Sequence, residues 1–497
     1  MTERKSVHFI GIGGTGLSAI ARVLLESGYQ VTGSDRSLSP MAKSLKEEGV
    51  RVVIGHRAEN IEGAQVVVRS SAIPDDNVEV IAAQEQGIPV FKRSEFLSSL
   101  MDEKIGIAVA GAHGKTTTTA MIAWMLTFLE QDPSFIAGGV LNNLGTNAHA
   151  GKGSAFVIEA DEYDHMFLGL KPKIAVITNI EHDHPDCYPT ADDFFKAFDD
   201  FATQVGSDGT LLVCANDGGA VRLGQIAKAR GQHVLSYAIR HSNNGSSKQP
   251  ITYIAQSLKP NLVGGMSFET VCSLPDEKFE LHSPTNLRVP GRHNVQNALA
   301  ALAVAHQMHL PVDQASKALS EYCGTGRRFE VCGEVDGITL IDDYAHHPTE
   351  IRATLSAARM RYPKSRLWVV WQPHTYSRTR LLFHDFVDAF ELADHVLVTD
   401  IYAAREQKPE DGFTSQQIVA AITYPDAQYI PDFTKATTFL VDRLIAGDVL
   451  IVLSAGDADQ INSRVLAQLK ERSEADDKRN EDSNAGIFPE NDELTGI

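Results

Sequence analysis

The stretch Val109-Ala110-Gly111-Ala112-His113-Gly114-Lys115-Thr116-Thr117-Thr118-Thr119 holds the residue types that grip phosphates. The apolar run from Ile105 to Ala110 reads as a buried strand and Thr116 to Leu129 as a helix, so the glycines and the lysine fall where a strand turns into a helix. At such a turn backbone N–H groups close around an anion, the helix N-terminus adds partial positive charge, Lys115 can reach β- and γ-phosphates, and Thr116 can offer its hydroxyl to Mg2+. Mg-ATP is therefore the expected ligand of Gly111, Ala112, His113, Gly114, Lys115, Thr116 and Thr117. The pattern G-x-x-x-x-G-K-[ST] asks for a glycine where this chain has Val109, so the motif alone is also compatible with a Gly/Thr-rich turn that only caps a helix.

Two further clusters stand at strand ends. Ala155 to Ile158 runs into Glu159-Ala160-Asp161-Glu162-Tyr163-Asp164, and Ile174 to Thr178 runs into Asn179-Ile180-Glu181-His182-Asp183-His184. Ligands of an α/β sheet are expected at such ends. Mg2+ takes one or two carboxylates besides phosphate oxygens and waters, and Glu159 and His184 fit such a cluster beside Thr116. The plainer alternative is a charge run that caps helices and faces water.

Earlier in the chain, Gly11-Ile12-Gly13-Gly14-Thr15-Gly16 fits G-x-G-x-x-G after an apolar strand, with Asp35 about 20 residues on, where an NAD site would hold a ribose hydroxyl. The generic reading is a diphosphate pocket at a helix N-terminus, and a nicotinamide dehydrogenase is the rival. A second phosphate loop a hundred residues later weighs against that rival, since hydride transfer has no use for ATP. Asn294 and Asn297 lie three apart on one face of an alanine-rich helix, so both amides could meet one base edge; an N-cap and its neighbour is the bland reading. Near the C-terminus three strand-like runs end in Asp342-Asp343-Tyr344-Ala345-His346-His347, in Gln372-Pro373-His374-Thr375-Tyr376-Ser377-Arg378, and in Ser454-Ala455-Gly456-Asp457. Histidines and arginines at successive strand ends suit carboxylates and phosphates, which Arg grips bidentately.

The elements that must position these residues alternate strand and helix, which predicts α/β architecture with parallel sheets. At 497 residues the chain is too long for one core, and about three domains are expected: 1–103, 104–324 and 325–470, the last after a Gly324–Phe329 hinge. Residues 240–249 read as a surface loop and 251–287 as antiparallel strands on one edge. Residues 471–497, with nine acidic against three basic side chains, read as a disordered acidic tail. A net charge of −19 argues against nucleic acid as a partner. The polar N-terminus and the lack of any long apolar run predict a cytoplasmic protein without a membrane partner, and five cysteines without a CxxC pair argue against a disulfide framework or structural zinc.

Taken together, GIGGTGLSAIA, SSAIP, AGAHGKTTTT, EADEYD, PGRHNVQNALAA, GRRFE, DDYAHHPTEI and QPHTYSRT resemble the Mur ligases, the ATP-dependent amino-acid ligases of bacterial peptidoglycan synthesis. The resemblance covers about residues 1–469, and the shortened phosphate loop is similar to that family's own version. It implies a Rossmann-like N-terminal UDP-binding domain, a central P-loop-type mononucleotide-binding domain and a Rossmann-like C-terminal domain. It further implies a ligase that uses ATP and Mg2+ to join L-alanine to the lactyl carboxylate of UDP-N-acetylmuramate; the alternative is a ligase recycling murein tripeptide onto that nucleotide sugar. A monomer or weak homo-oligomer is expected. By the same resemblance Gly13, Gly14, Thr15, Gly16, Asp35, Ser70 and Ser71 hold the UDP-sugar, and Asn294, Asn297, Arg328 and Asp343 join the ATP site. Thr116, Glu159 and His184 hold metal, His346, His374 and Arg378 receive the amino acid, and Lys115, His184, His346 and Arg378 carry the chemistry.

Overall fold

A computed structural model describes residues 5–240, 251–273 and 281–485. Most of the loop read at 240–249 and the end of the acidic tail lie outside the described residues. The chain divides into two compact units, Met1–Gly326 and Arg327–Ile497.

The first unit contains two sheets. Strands β1 (Ser6–Ile10), β2 (Gln30–Asp35), β3 (Arg51–Ile54), β4 (Val66–Arg69) and β5 (Val90–Lys92) form an all-parallel sheet in the order β3-β2-β1-β4-β5. The order reverses beside β1, and the glycine turn 11–14 leads from the end of that strand into helix Thr15–Glu26. This is the switch point where α/β sheets bind ligands.

The second sheet has ten strands: β6 (Ile105–Ala110), β7 (Ser134–Leu141), β8 (Thr146–His149), β9 (Ala155–Glu159), β10 (Ile174–Ile177), β11 (Thr210–Cys214), β12 (His233–Ile239), β13 (Tyr253–Pro260), β14 (Met266–Cys272) and β15 (Leu281–Asn286). Their order is β15-β14-β13-β12-β11-β10-β6-β9-β7-β8. The antiparallel pairs at one edge, β13 with β14 and β14 with β15, match the expectation for 251–287. Strand β6 lies centrally between β10 and β9 and is buried along all but its first residue, which is why Ile105–Ala110 is an unbroken apolar run rather than an alternating one.

In the second unit β16 (Glu330–Val335), β17 (Ile338–Asp343), β18 (Leu367–Trp371), β19 (His395–Val398), β20 (Asp426–Tyr429) and β21 (Val449–Leu453) pair in the order β16-β17-β21-β18-β19-β20, parallel apart from the β16 edge. Two apolar cores line its faces, one around Trp371, Phe386 and Phe390, the other around Leu340, Leu450 and Ile461. The three-sheet α/β architecture is the one the sequence predicts.

One expectation is corrected. Helix Gln460–Ala485 runs through the first part of the segment read as a disordered acidic tail. Ile461, Val465 and Leu469 anchor it in the core, and Arg472 Nη1 donates to Val441 O at 2.7 Å. A helix nucleated by such packing propagates through polar, Asp- and Glu-rich sequence that would not start one alone. Among the described residues no helix is long and apolar enough to cross a membrane.

Candidate active site

Because β6 ends at Ala110 and helix Lys115–Phe128 begins five residues later, the loop must reverse within Gly111–Gly114. Gly111 and Gly114 take φ of +146° and +80°. At Gly111 a Cβ would also stand 1.9 Å from Thr178 Oγ1, and at Gly114 one would stand 2.9 Å from Asn297 Oδ1, so both positions require glycine. The strand end at Thr178–Asn179 grips the loop. Asn179 Oδ1 accepts from His113 N at 2.8 Å, while Asn179 Nδ2 and Thr178 Oγ1 donate to His113 O at 3.0 and 2.6 Å.

Lys115 lies inside this loop. Its ammonium donates to Gly111 O at 2.6 Å and Ala112 O at 3.1 Å, and sits 2.9 Å from Glu162 Oε2. Glu162 is fully buried, and His184 Nε2 lies 3.5 Å from its other oxygen. Burial disfavours both charges, but each outweighs that penalty on the other: Lys115 is held above the ordinary lysine range, and Glu162 below the ordinary carboxylate range.

Thr116 Oγ1 donates to Glu159 Oε1 at 2.9 Å, and Gly138 N donates to Glu159 Oε2 at 2.6 Å. A Cβ on Gly138 would come within 2.6 Å of Glu159 and 2.9 Å of Thr116 Oγ1. A hydroxyl and a carboxylate beside a residue with no side chain make a small oxygen-lined cradle, which fits a hard divalent cation. Of the three expected metal residues, Thr116 and Glu159 thus meet directly, whereas His184, in the left-handed region at φ +55°, is seated on Glu162. Asn294 and Asn297 share a helix face as predicted, but both are buried, with Asn294 Nδ2 donating to Pro290 O and Asn297 Nδ2 to Asn294 Oδ1. Asn297 faces Gly114, which joins this helix to the phosphate loop.

At the N-terminal glycine turn, Asp35 Oδ2 accepts from Gly13 N at 2.8 Å, and Ser39 Oγ donates to Gly13 O at 2.8 Å. Asp35 therefore shapes the turn, whereas the dehydrogenase reading would have had it hold a ribose hydroxyl. Gly14 caps helix Thr15–Glu26 with no side-chain hydrogen bond, and the first helical turn, with Thr15 and Gly16, bears no acidic residue. Ser70 packs against Gly11, and Ser70 O accepts from Ile73 N in the turn that contains Ser71.

In the second unit the structure brings His346, His374 and Arg378 together. The two imidazoles are 5.5 Å apart, centre to centre, and Arg378 Nη1 lies 3.1 Å from His374 Nδ1. Since a guanidinium only donates, His374 Nδ1 accepts and its proton belongs on Nε2. His346 Nδ1 lies 2.9 Å from Tyr344 O, which only accepts, so His346 carries its basic lone pair on Nε2. Glu350 accepts from His346 N at 3.0 Å and pairs with Arg328 at 3.8 Å. Glu406 accepts from Tyr376 N and Ser377 N, fixing the turn that carries Arg378. Asp343 accepts from Phe329 N at 2.9 Å, Ala345 N at 2.8 Å and the Thr354 hydroxyl at 3.2 Å. It ties the start of this unit to the histidine loop, and burial holds its carboxyl above the usual range despite Arg328.

Glu162, Asn179, Glu350 and Glu406 are the residues that sequence reasoning passed over. The first two stand inside motifs whose neighbours drew attention, and only their partners, 47 and 66 positions away, show what they do.

Comparison with known proteins agrees with this architecture. Residues 6–105 match the Mur ligase family catalytic domain, 109–305 the Mur ligase middle domain, and 327–456 the Mur ligase glutamate ligase domain. The chain belongs to the Mur ligase family. It is 40% identical over 470 residues to a UDP-N-acetylmuramate–L-alanine ligase of Caldanaerobacter subterraneus subsp. tengcongensis, covering 94% of this chain and 98% of the relative. The crystal structure of UDP-N-acetylmuramate-alanine ligase from Thermotoga maritima superposes with a TM-score of 0.76 at 26% identity, over 94% of this chain and 99% of that one. A murein peptide ligase from Psychrobacter arcticus gives a TM-score of 0.66 at 26% identity, over 94% and 98%.

Proposed function

We propose that this chain is an ATP-dependent ligase that joins L-alanine to the lactyl carboxylate of UDP-N-acetylmuramate, acting in the cytoplasm as a monomer or weak homo-oligomer, without nucleic-acid or membrane partners. The observation that carries the reading is the end-to-end similarity, at 40% identity, to a relative of that name. The Lys115 loop, the Thr116–Glu159 cradle and the His346–His374–Arg378 cluster supply parts that such a reaction needs.

The lactyl carboxylate is a poor electrophile until one oxygen is phosphorylated. In this reading its oxygen attacks the γ-phosphorus of ATP in line, the bond to the ADP oxygen breaks, and an acyl phosphate forms. Positioning and charge neutralisation dominate such a step. Lys115 supplies a charge that Glu162 keeps in place, and the Gly111–Gly114 backbone cradles phosphate oxygens. Thr116, Glu159 and His184 would hold Mg2+, which neutralises charge on those oxygens when bound. The amine of L-alanine then attacks the acyl carbon, and the tetrahedral oxyanion collapses to an amide with release of phosphate. Arg378 and His374 Nε2–H are donors suited to the alanine carboxylate, and His346 Nε2 is the proton acceptor for the amine. Asn294 and Asn297 are assigned to the adenine side, and the Gly13–Gly16 turn with Asp35, Ser70 and Ser71 to the UDP-sugar.

The test is phosphate release from Mg-ATP by purified protein with UDP-N-acetylmuramate, offering L-alanine, L-serine, glycine or murein tripeptide separately, with mass detection of the product. Turnover with L-alanine well above the others is expected. Turnover only with tripeptide moves the chain to the recycling reaction, and none with any acceptor refutes the ligase reading.

A further inference from the structure

Two cations at two glycine turns are held by neighbouring carboxylates of a single loop. Beyond β9, Asp161 Oδ2 accepts from Arg93 Nη2 at 3.1 Å, and Glu162, the next residue, pairs with Lys115 at 2.9 Å. Arg93 opens helix Arg93–Leu100, yet its guanidinium lies on the first turn of helix Thr15–Glu26: a Cβ on Gly16 would stand 1.7 Å from Arg93 Nη1. Its Nε is buried with no hydrogen-bond partner among the described residues. Lys115, at the other turn, begins the phosphate-loop helix.

The connecting loop is pinned rather than slack. Asp161 O accepts from Phe167 N at 3.0 Å, Asp161 Oδ1 from Tyr163 N at 3.2 Å, and Glu162 O from the Tyr188 hydroxyl at 2.5 Å. Asp161 and Glu162 are consecutive residues of this anchored segment, so a displacement of the backbone at one is carried to the other rather than absorbed by slack chain between them.

We propose that the Asp161–Glu162 pair couples the N-terminal diphosphate site to the ATP site. This rests on the reading of the Gly13–Gly16 turn as the UDP-sugar site. A diphosphate arriving there competes with Asp161 for Arg93, whose Nε gains an acceptor, and the shift of Asp161 moves Glu162, its neighbour in the pinned loop, against Lys115. By linkage the effect is reciprocal: ATP loading at Lys115 changes the affinity of the sugar nucleotide by the same factor. Asp161 and Glu162 act through Arg93 and Lys115, and both are positioning residues.

The experiment is calorimetric titration of the full chain with a non-hydrolysable ATP analogue and Mg2+, in the absence and presence of saturating UDP-N-acetylmuramate, for wild type, Asp161→Asn and Asp161→Glu. The readout is the ratio of the two Kd values, which cancels any uniform loss of affinity or folded fraction. A ratio of about fivefold or more is expected for wild type, falling below about twofold in Asp161→Asn and partly restored in Asp161→Glu. A ratio of one in wild type, or an unchanged ratio in Asp161→Asn, overturns the proposal. A wild-type protein that binds the analogue but no UDP-sugar overturns the reading of the N-terminal site, and the proposal with it, an outcome distinct from binding without coupling.

Discussion

Lys115 and Glu162 form a buried ion pair, 2.9 Å between ammonium and carboxylate, inside the loop assigned to the ATP phosphates. Glu162 is fully buried, and the Lys115 side chain is only 13% exposed. A buried pair adds little net stability, but removal of one partner leaves the other charge uncompensated at a cost of about 3–5 kcal/mol. Lys115→Ala is therefore expected to abolish both acyl phosphate formation and amide synthesis, and also to lower stability by that amount. Adding Glu162→Gln to Lys115→Ala removes the stranded charge and recovers most of the stability, without activity. Denaturant melts and phosphate release measured on the two variants separate the effects; detectable acyl phosphate in Lys115→Ala would remove this lysine from the ATP site.

His346 poses the complementary case. Tyr344 O fixes the proton on Nδ1 and leaves Nε2 as the base, so His346 serves the second half of the reaction. His346→Ala is expected to keep ADP formation and a trappable acyl phosphate while amide formation falls by about 10²–10⁴-fold. Equal loss of both steps, or unchanged turnover, would show that the imidazole does something else.

How far the sequence carries the site depends on chain distance. Gly111 to Thr116 is legible because a strand, a turn and a helix N-terminus are local events, and local spacing specifies them. His346, His374 and Arg378 were each recognisable by type at strand ends, and the parallel pairing of β17 and β18 with β21 between them brings those ends to one side of the sheet. A carboxylate after a strand looks the same in sequence whether it faces only a ligand or, like Asp343, takes Phe329 N and Ala345 N. Glu162 and Asn179 were passed over for the same reason. Their roles are set by partners that only the β6–β9 and β6–β10 pairings bring near. The helix beyond Lys470 escaped composition analysis because its stability comes from the apolar residues before it.

The first sheet contains a charged group that the ligase reading does not use. Glu79 is fully buried, accepts from Ser34 Oγ at 2.5 Å, Arg57 N at 3.2 Å and Asn60, and lies 3.6 Å from His8 Nε2. Burial alone would raise its pKa, but the neighbouring His8 and the hydrogen bonds from Ser34 and Asn60 bring it down to about 2 from the ordinary 4.5. A depressed carboxyl stabilises the fold fully above its unfolded pKa and loses that contribution as pH falls towards the folded value. Stability is thus expected to drop between about pH 4.5 and pH 2, by about 3 kcal/mol for this group. Denaturant midpoints compared across that range should show a flatter acid limb for Glu79→Gln than for wild type; parallel limbs would contradict the assignment.

Gly138 offers the sharpest test of the metal cradle, because its substitution touches neither the Lys115 pair nor the amino-acid cluster directly. A methyl there would stand 2.6 Å from Glu159 Oε2 and 2.9 Å from Thr116 Oγ1, so the carboxylate and the hydroxyl must separate to admit it. The backbone at Gly138 lies outside the left-handed region, so alanine adds no conformational strain of its own. Gly138→Ala is expected to raise the Mg2+ concentration needed for half-maximal turnover by about tenfold, equivalent to about 1.4 kcal/mol, with little change in melting temperature. The measurement is initial rate against Mg2+ at saturating ATP, with thermal melts in parallel. An unchanged Mg2+ dependence would mean that the Thr116–Glu159 contact is a structural hydrogen bond and that the cation is held elsewhere.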